Sequence, residues 1–330
     1  MRYRNLGKQG PAVSVLGFGA SPLGNEFRVT SAAEGARAVD CALDHGINYF
    51  DVSPYYGRTL AEERLGQALA GKRDRVFLAT KCGRYDTDRF DFSPARLVRS
   101  IDESLARLRT DHVDLLQLHD IEFGDFRQIV DQALPALEAI RRSGKTRFIG
   151  ITGLPLKMLA RVACAVPLDT VLSYCRYNLM ITDMDQWLTP VAGQKGVALI
   201  NASPLHMGVL TERGAPAWHP APPEVKQAGR AVVDFCRSRG VRVADVALRF
   251  CLDHPYVSTT LVGMADPGHV MENVRALDFE PDPELMAGIQ RLVAPVKDVT
   301  WPSGRPENND YEGCGDSENR LPSSFVVVQP

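Results

Sequence analysis

The sequence lacks the features that would direct a chain to a membrane, to nucleic acid or to an oxidising compartment. No apolar run reaches the roughly 20 residues that a membrane-spanning helix needs. Lys and Arg number 38 against 40 Asp and Glu, a formal net charge of −2. Such a balance gives no polycationic surface for nucleic acid or an acidic membrane. The opening residues, Met1-Arg-Tyr-Arg-Asn5, have no apolar stretch of the signal-peptide kind. The seven cysteines, at 41, 82, 164, 175, 236, 251 and 314, include no C-x-x-C pair and no Cys/His cluster at zinc-ligand spacing. Most lie in apolar runs, where cysteine serves as a small core residue. A reducing, cytoplasmic setting is therefore expected, and no metal site. A Gly-rich phosphate turn is also missing. Gly17-Phe-Gly19 is only G-x-G, which argues against a doubly wound nucleotide-binding sheet.

What is present is a regular alternation. Residues 2–5 and 12–15 read as a β-hairpin around Gly7-Lys-Gln-Gly10, a lid for the bottom of the fold. Short apolar strands then alternate with amphipathic helices. Strands are expected at 15–20, 49–53, 76–81, 113–118, 147–151, 170–174, 197–202 and 258–262. Helices are expected at 31–45, 60–70, 94–108, 128–142, 155–164, 186–194, 224–253 and 267–276. Ser31 with Glu34 forms a capping-box pattern, and Ser93 with Pro94 marks a second helix start. The strands are continuously apolar, as when both faces are covered. Eight βα units without a composition break predict an α/β fold, a (β/α)8 TIM barrel. The 224–253 segment has room for two helices split near Gly240, and a helix at 283–294 should pack outside the barrel. The barrel domain is read as residues 1–297. Residues 298–330 form a C-terminal loop and tail, polar over 310–324 and therefore expected to be mobile. The end, Phe325-Val-Val-Val328, is apolar enough to dock on a partner or to form an edge strand.

In such barrels functional side chains lie at the C-terminal ends of strands. Asp51 ends the second strand and Tyr56 follows just beyond Pro54. Lys81 ends the third strand and His119 the fourth. Singly, each has a structural alternative as a turn cap, a core ring, a snorkelling lysine or a satisfied core histidine. Jointly, four polar groups on three successive strand ends are hard to explain by packing. A buried lysine needs a partner, and Asp51 is the obvious one. A tyrosine with an ordinary pKa near 10 is a weak base at neutral pH, and an adjacent ammonium should lower that value. Tyr56 would then exchange a proton with a substrate oxygen that His119 orients. No activated nucleophile is evident, so a cofactor must take the electrons. Cys82, next to Lys81, is expected to point away from the site.

These residues resemble the tetrad of the aldo-keto reductases. The supporting motifs are Leu16-Gly-Phe-Gly19, Phe50-Asp-Val-Ser-Pro-Tyr-Tyr-Gly57, Leu118-His119, Gly150-Ile-Thr-Gly153, Tyr177-Asn178, Ser203-Pro-Leu205 and Glu272-Asn273. The likeness spans about residues 1–295. It implies hydride transfer with NAD or NADP at an alcohol or aldehyde carbon, the nicotinamide lying across the barrel mouth. The residues it implies for the cofactor are Gly19, Thr152, Gly153 and Tyr174, then the turn Ser203, Pro204, Leu205 with Gly208. Around the adenosine stand Gly263, Met264, Ala265, His269, Glu272 and Asn273. Gly153 stands where the family usually has Asn, Ala202 where an aromatic often precedes the Ser-Pro-Leu turn, and Tyr174 where Gln is common. NADP-preferring members hold the 2′-phosphate with Lys, Ser and Arg, where this chain has Gly263, Met264 and His269, with Asp266 nearby. A phosphate dianion wants paired cations, so NAD is expected.

Two further stretches, Pro295-Val-Lys-Asp-Val-Thr-Trp-Pro-Ser-Gly304 and Leu172-Ser-Tyr-Cys175, resemble L-galactose dehydrogenases. That branch also holds NAD-linked aldose 1-dehydrogenases acting on L-fucose or D-arabinose, and pyridoxal 4-dehydrogenases. The resemblance implies oxidation of an aldose at C1 to a lactone. A monomer or small homo-oligomer is expected. Tyr55, Trp187, His206 and Trp301 are the expected substrate-lining residues, with Trp301 closing over the sugar. The alternatives are an NADPH-dependent aldehyde reductase, a non-catalytic nucleotide-sensing subunit, and an aldolase using Lys81 for a Schiff base.

Overall fold

A computed structural model describes residues 1–8, 10–26 and 28–309. The expectations for residues 310–330, including the apolar end and Cys314, lie outside the described residues. The chain opens with a hairpin, β1 (Tyr3–Asn5) and β2 (Ala12–Ser14), paired antiparallel. Eight parallel strands then close into a barrel: β3 (Leu16–Gly19), β4 (Tyr49–Asp51), β5 (Phe77–Cys82), β6 (Val113–Leu118), β7 (Thr146–Gly153), β8 (Thr170–Tyr174), β9 (Ala198–Ala202) and β10 (Val257–Gly263). Each strand pairs with its sequence neighbours, and β10 pairs with β3 to close the ring.

The helical layer consists of α1 (Ala32–Asp44), α2 (Leu60–Ala68), α3 (Pro94–Leu108), α4 (Phe126–Gln128), α5 (Leu134–Arg142), α6 (Leu156–Ala165), α7 (Met184–Lys195), α8 (Pro223–Ser238), α9 (Val243–Leu252), α10 (Pro267–Arg275) and α11 (Pro283–Val293). A π turn, Ile129–Ala133, joins α4 to α5. The seventh unit does carry two helices, α8 and α9, on either side of Gly240, whose φ of +67° suits glycine. The additional helix α8 packs with α11 and the loop from 298 as a separate apolar cluster beside the barrel.

Local chemistry explains the helix starts. Ser31 Oγ accepts from Glu34 N at 3.1 Å, and the Glu34 carboxylate accepts in return from the backbone of Ser31, the expected capping box. Ser93 differs from expectation. It occupies the N-cap of α3 but makes no side-chain cap bond. Its own N–H instead donates to Asp91 Oδ1 at 2.9 Å, and Pro94 needs no partner at the first helical position.

The barrel interior is filled from below. Leu6 and Val13 of the hairpin pack with Tyr49, Phe77, Leu115, Leu172, Ile200 and Leu261. Arg4 donates to the carbonyls of Leu252, His254 and Val257, which ties the hairpin to the start of β10. The bottom is thus sealed, and polar groups are left to the opposite end.

Candidate active site at the C-terminal barrel mouth

Register brings the four polar groups together. Asp51 pairs with Ala79, two residues before Lys81, and Lys81 pairs with Gln117, two before His119. Side chains two apart share a face, and barrel stagger lifts each successive strand end. Lys81 Nζ forms an ion pair with Asp51 and donates to Val52 O at 3.0 Å and Tyr56 Oη at 3.2 Å. Gln117 Nε2 donates to the other Asp51 oxygen at 3.1 Å. The Tyr56 and His119 rings meet edge to face, 5.7 Å between centroids. Cys82 is buried and its thiol sits against Gln117 O, its pKa pushed up by burial, as expected of an inert core thiol.

The electrostatics follow from burial. Desolvation alone would lower the Lys81 pKa, but Asp51 and Tyr56 reverse it, and Lys81 ends above its ordinary value. Burial and the Lys81 and Arg84 charges push His119 well below the usual histidine range, so it is neutral. Tyr56 corrects an expectation. Burial raises its pKa, and the Lys81 ammonium opposes this without reversing it. Loss of water around the phenolate outweighs one nearby cation, itself shared with Asp51.

Ser53 was not singled out from sequence. Its Oγ accepts from Tyr55 N at 3.1 Å and lies 2.9 Å from His119 Nδ1. The Ser53 hydroxyl can donate to Nδ1, the arrangement in which neutral His119 carries its hydrogen on Nε2. Removing one such bond costs about 1.4 kcal/mol, or about tenfold in rate. Ser53→Ala should therefore lower kcat/KM about tenfold and populate the other tautomer of His119, visible in its ¹⁵N shifts. Unchanged shifts would show that Ser53 does not set the ring.

Glu122 is the other group missed from sequence. It is fully buried, and Oε1 accepts from Leu154 N at 3.2 Å and from Ser303 Oγ at 3.0 Å. Its carbonyl accepts from Arg305 N and Asn308 Nδ2, so the 298–309 loop is fastened here. Burial pushes the Glu122 carboxyl up to about 8, and Asp120 adds to the rise. An acid whose folded pKa is raised contributes stability that is full below its unfolded value of about 4.3 and lost as pH rises through the folded value. Glu122→Gln should thus melt higher than the parent at pH 8 to 9, with the gap shrinking towards pH 4. A gap independent of pH would contradict the assignment. Glu122 also accounts for Gly153. A Cβ at residue 153 would lie 2.5 Å from Glu122 Oε2, so a side chain there would require the Glu122 carboxylate to move.

The remaining expected residues are placed unevenly. Tyr55 stands 5.9 Å from His119, centroid to centroid, under the Arg84 guanidinium at 3.8 Å. Trp301 is buried between His206 and His219, at 5.4 and 5.2 Å between ring centroids. It thus packs within the α8–α11 cluster. His206 is wholly buried, with Nδ1 3.0 Å from Asn178 Nδ2. Trp187 sits in the helical layer, near Lys157 of α6, because the apolar face of α7 turns it to the strand-helix core. His206 is thus part of the packed cluster, and Trp187 is half-buried in the helical layer.

Two observations bear on a dinucleotide. Thr152 Oγ1 accepts from Asp120 N at 3.0 Å, which leaves its hydroxyl proton for another acceptor at the mouth. Gly19 and Gly263 are paired in register. A Cβ on Gly19 would lie 3.0 Å from Val262 O, and one on Gly263 would lie 3.0 Å from Pro22, so both strand ends stay bare. These fit a nicotinamide nucleotide laid over β3, β7 and β10. At the adenosine end Asp266 caps α10, accepting from His269 N at 2.9 Å. Contrary to the sequence reading, cations do lie near. Arg28 bridges Asp266 at 2.5 Å and Glu34 at 2.9 Å, and Arg242 lies 3.4 Å from Glu272. Among the described residues no group of three or more His, Cys, Asp or Glu could hold a metal.

A closed eight-stranded barrel with this set at its mouth defines an oxidoreductase of the aldo-keto reductase class. The chain belongs to the Aldo/keto reductase family, whose model matches residues 15–294. It is 47% identical to the L-galactose dehydrogenase of Arabidopsis thaliana, over 93% of this chain and 99% of that one. It is 31% identical to a D-threo-aldose 1-dehydrogenase of a Pseudomonas species, over 89% and 97%. Among solved structures, an aldo-keto reductase of Bacillus halodurans in its holo form superposes with a TM-score of 0.74 at 28% identity, covering 91% of this chain and 98% of that one.

Proposed function

We propose that the protein oxidises an aldose at C1 to the lactone, with NAD as hydride acceptor and L-galactose or a related sugar as substrate. The 47% identity to an L-galactose dehydrogenase over nearly the whole of both chains carries this reading. Bound NAD would supply the acceptor carbon and a positive charge favouring the Tyr56 phenolate. Tyr56 takes the anomeric hydroxyl proton. Neutral His119 donates from Nε2 to the same oxygen and orients it, Lys81 stabilises the phenolate, and Asp51 with Gln117 holds Lys81. Thr152 is the group we assign to the carboxamide.

The preference for NAD rests on Arg28. Its charge is already divided between Asp266 and Glu34, so a 2′-phosphate would meet two carboxylates around one committed cation. Glu272 and Asn273 are assigned to the adenine, with Glu272 oriented by Arg242. We place the enzyme in the cytoplasm, in keeping with the free thiols of Cys41, Cys82, Cys164, Cys175, Cys236 and Cys251. No helix among the described residues is long and apolar enough to cross a membrane.

The test is initial rates with NAD and NADP in parallel on L-galactose, L-fucose, D-arabinose, pyridoxal and an aromatic alcohol. An NAD-dependent rate on one or more of the sugars is expected. Silence on all sugars, with NADPH-driven reduction of aldehydes, would overturn the reading in favour of a general reductase.

A further inference from the structure

We infer that Asp120 is a specificity-determining residue, its carboxylate accepting a hydrogen bond from the hydroxyl on the carbon next to the one oxidised. This rests on the aldose reading above. Asp120 follows His119 directly, and its Oδ2 lies 3.8 Å from His119 Nε2, too far for a direct bond. That nitrogen marks where the reacting oxygen is held. Vicinal oxygens of a pyranose are about one hydrogen-bond length apart. A sugar whose reacting oxygen meets Nε2 therefore brings its neighbouring hydroxyl to the carboxylate.

The carboxylate is built into this place. Asp120 has φ +53°, a left-handed conformation that aspartate adopts more readily than most side chains. Its N–H is held by Thr152 Oγ1 at 3.0 Å. Its Oδ2, the oxygen facing His119, is ion-paired to Arg84, whose guanidinium is fixed 3.8 Å over the Tyr55 ring and 5.3 Å from that of Phe90. Asp120 is only 2% exposed. A partner for Arg84 alone requires no position beside the histidine. An ionised carboxylate only accepts, so it reads a hydroxyl and is left short of a donor by hydrogen at that carbon.

The experiment compares kcat/KM for L-galactose and 2-deoxy-L-galactose, and for L-fucose and 2-deoxy-L-fucose, in the parent and in Asp120→Asn. Melting temperature and NAD titration by fluorescence report whether the variant is folded. The parent should prefer the hydroxylated sugar about 100-fold, the scale of a lost hydrogen bond to a charged group, and Asp120→Asn should reduce the preference to less than about fivefold. The parent comparison needs no variant, so a misfolded Asp120→Asn leaves the inference testable. Equal rates on both sugars in the parent would overturn it. So would an Asp120→Asn that loses both sugars by one factor, which would make Asp120 a positioning residue for His119 or Arg84. If no aldose is oxidised at all, the proposed function falls and takes this inference with it. Aldose oxidation without a preference for the hydroxyl sinks this inference alone.

Discussion

Tyr56→Phe should lose turnover about 10³-fold, the scale of a positioned acid-base group, while binding NAD as the parent does. The phenol is buried, with Lys81 Nζ 3.2 Å from its oxygen, and no other described side chain of the mouth combines that lysine contact with a transferable proton. Deleting the oxygen removes the proton acceptor and leaves the ring packed against His119. Initial rates and a fluorescence titration of NAD separate the two effects. Because burial raises the Tyr56 pKa above its ordinary value, oxidation by the parent should quicken as the solution turns alkaline, since the phenolate is the proton acceptor. Reduction in the reverse direction should be favoured at lower pH. Full turnover in Tyr56→Phe would remove proton transfer from this residue.

The second large effect is on stability. Asp51→Ala should cost about 3–5 kcal/mol of unfolding free energy, the penalty of stranding one member of a buried ion pair. Lys81 is 1% exposed, and among the described residues Asp51 is its one carboxylate partner. The double variant Asp51→Ala with Lys81→Met should recover most of the loss, since no charge remains buried, yet stay inactive. Urea unfolding read by circular dichroism gives both values. A double variant as unstable as Asp51→Ala alone would mean that the cost is packing rather than charge.

The barrel was legible because buried parallel strands are short apolar runs and their helices carry capping and amphipathic patterns. Strands Val113–Leu118 and Thr170–Tyr174 and helix Pro94–Leu108 fall where those patterns put them. The tetrad was legible because a barrel places strand ends together, so Asp51, Lys81 and His119 could be aligned without coordinates. Contacts set by tertiary approach were not legible. Arg28 meets Asp266 across 238 residues of sequence, and nothing local to either announces the pair. Glu122 reads as an ordinary acid in a loop, and its burial under Ser303 exists only once the C-terminal loop folds back. The Tyr56 pKa went the other way from the sequence reading because the sequence supplies the neighbouring charge but not the depth of burial that opposes it. Trp301 reads as a sugar-stacking ring, but its place between His206 and His219 depends on the α8–α11 cluster, which no periodicity reveals.

Hydride transfer from C1 is measured most directly with L-galactose carrying deuterium at C1, oxidised with NAD. The deuterium should move to the nicotinamide, detected by mass spectrometry, the product should be the lactone, and the transfer step should slow. Deuterium retained in the sugar product, or no reduced nicotinamide at all, would contradict it.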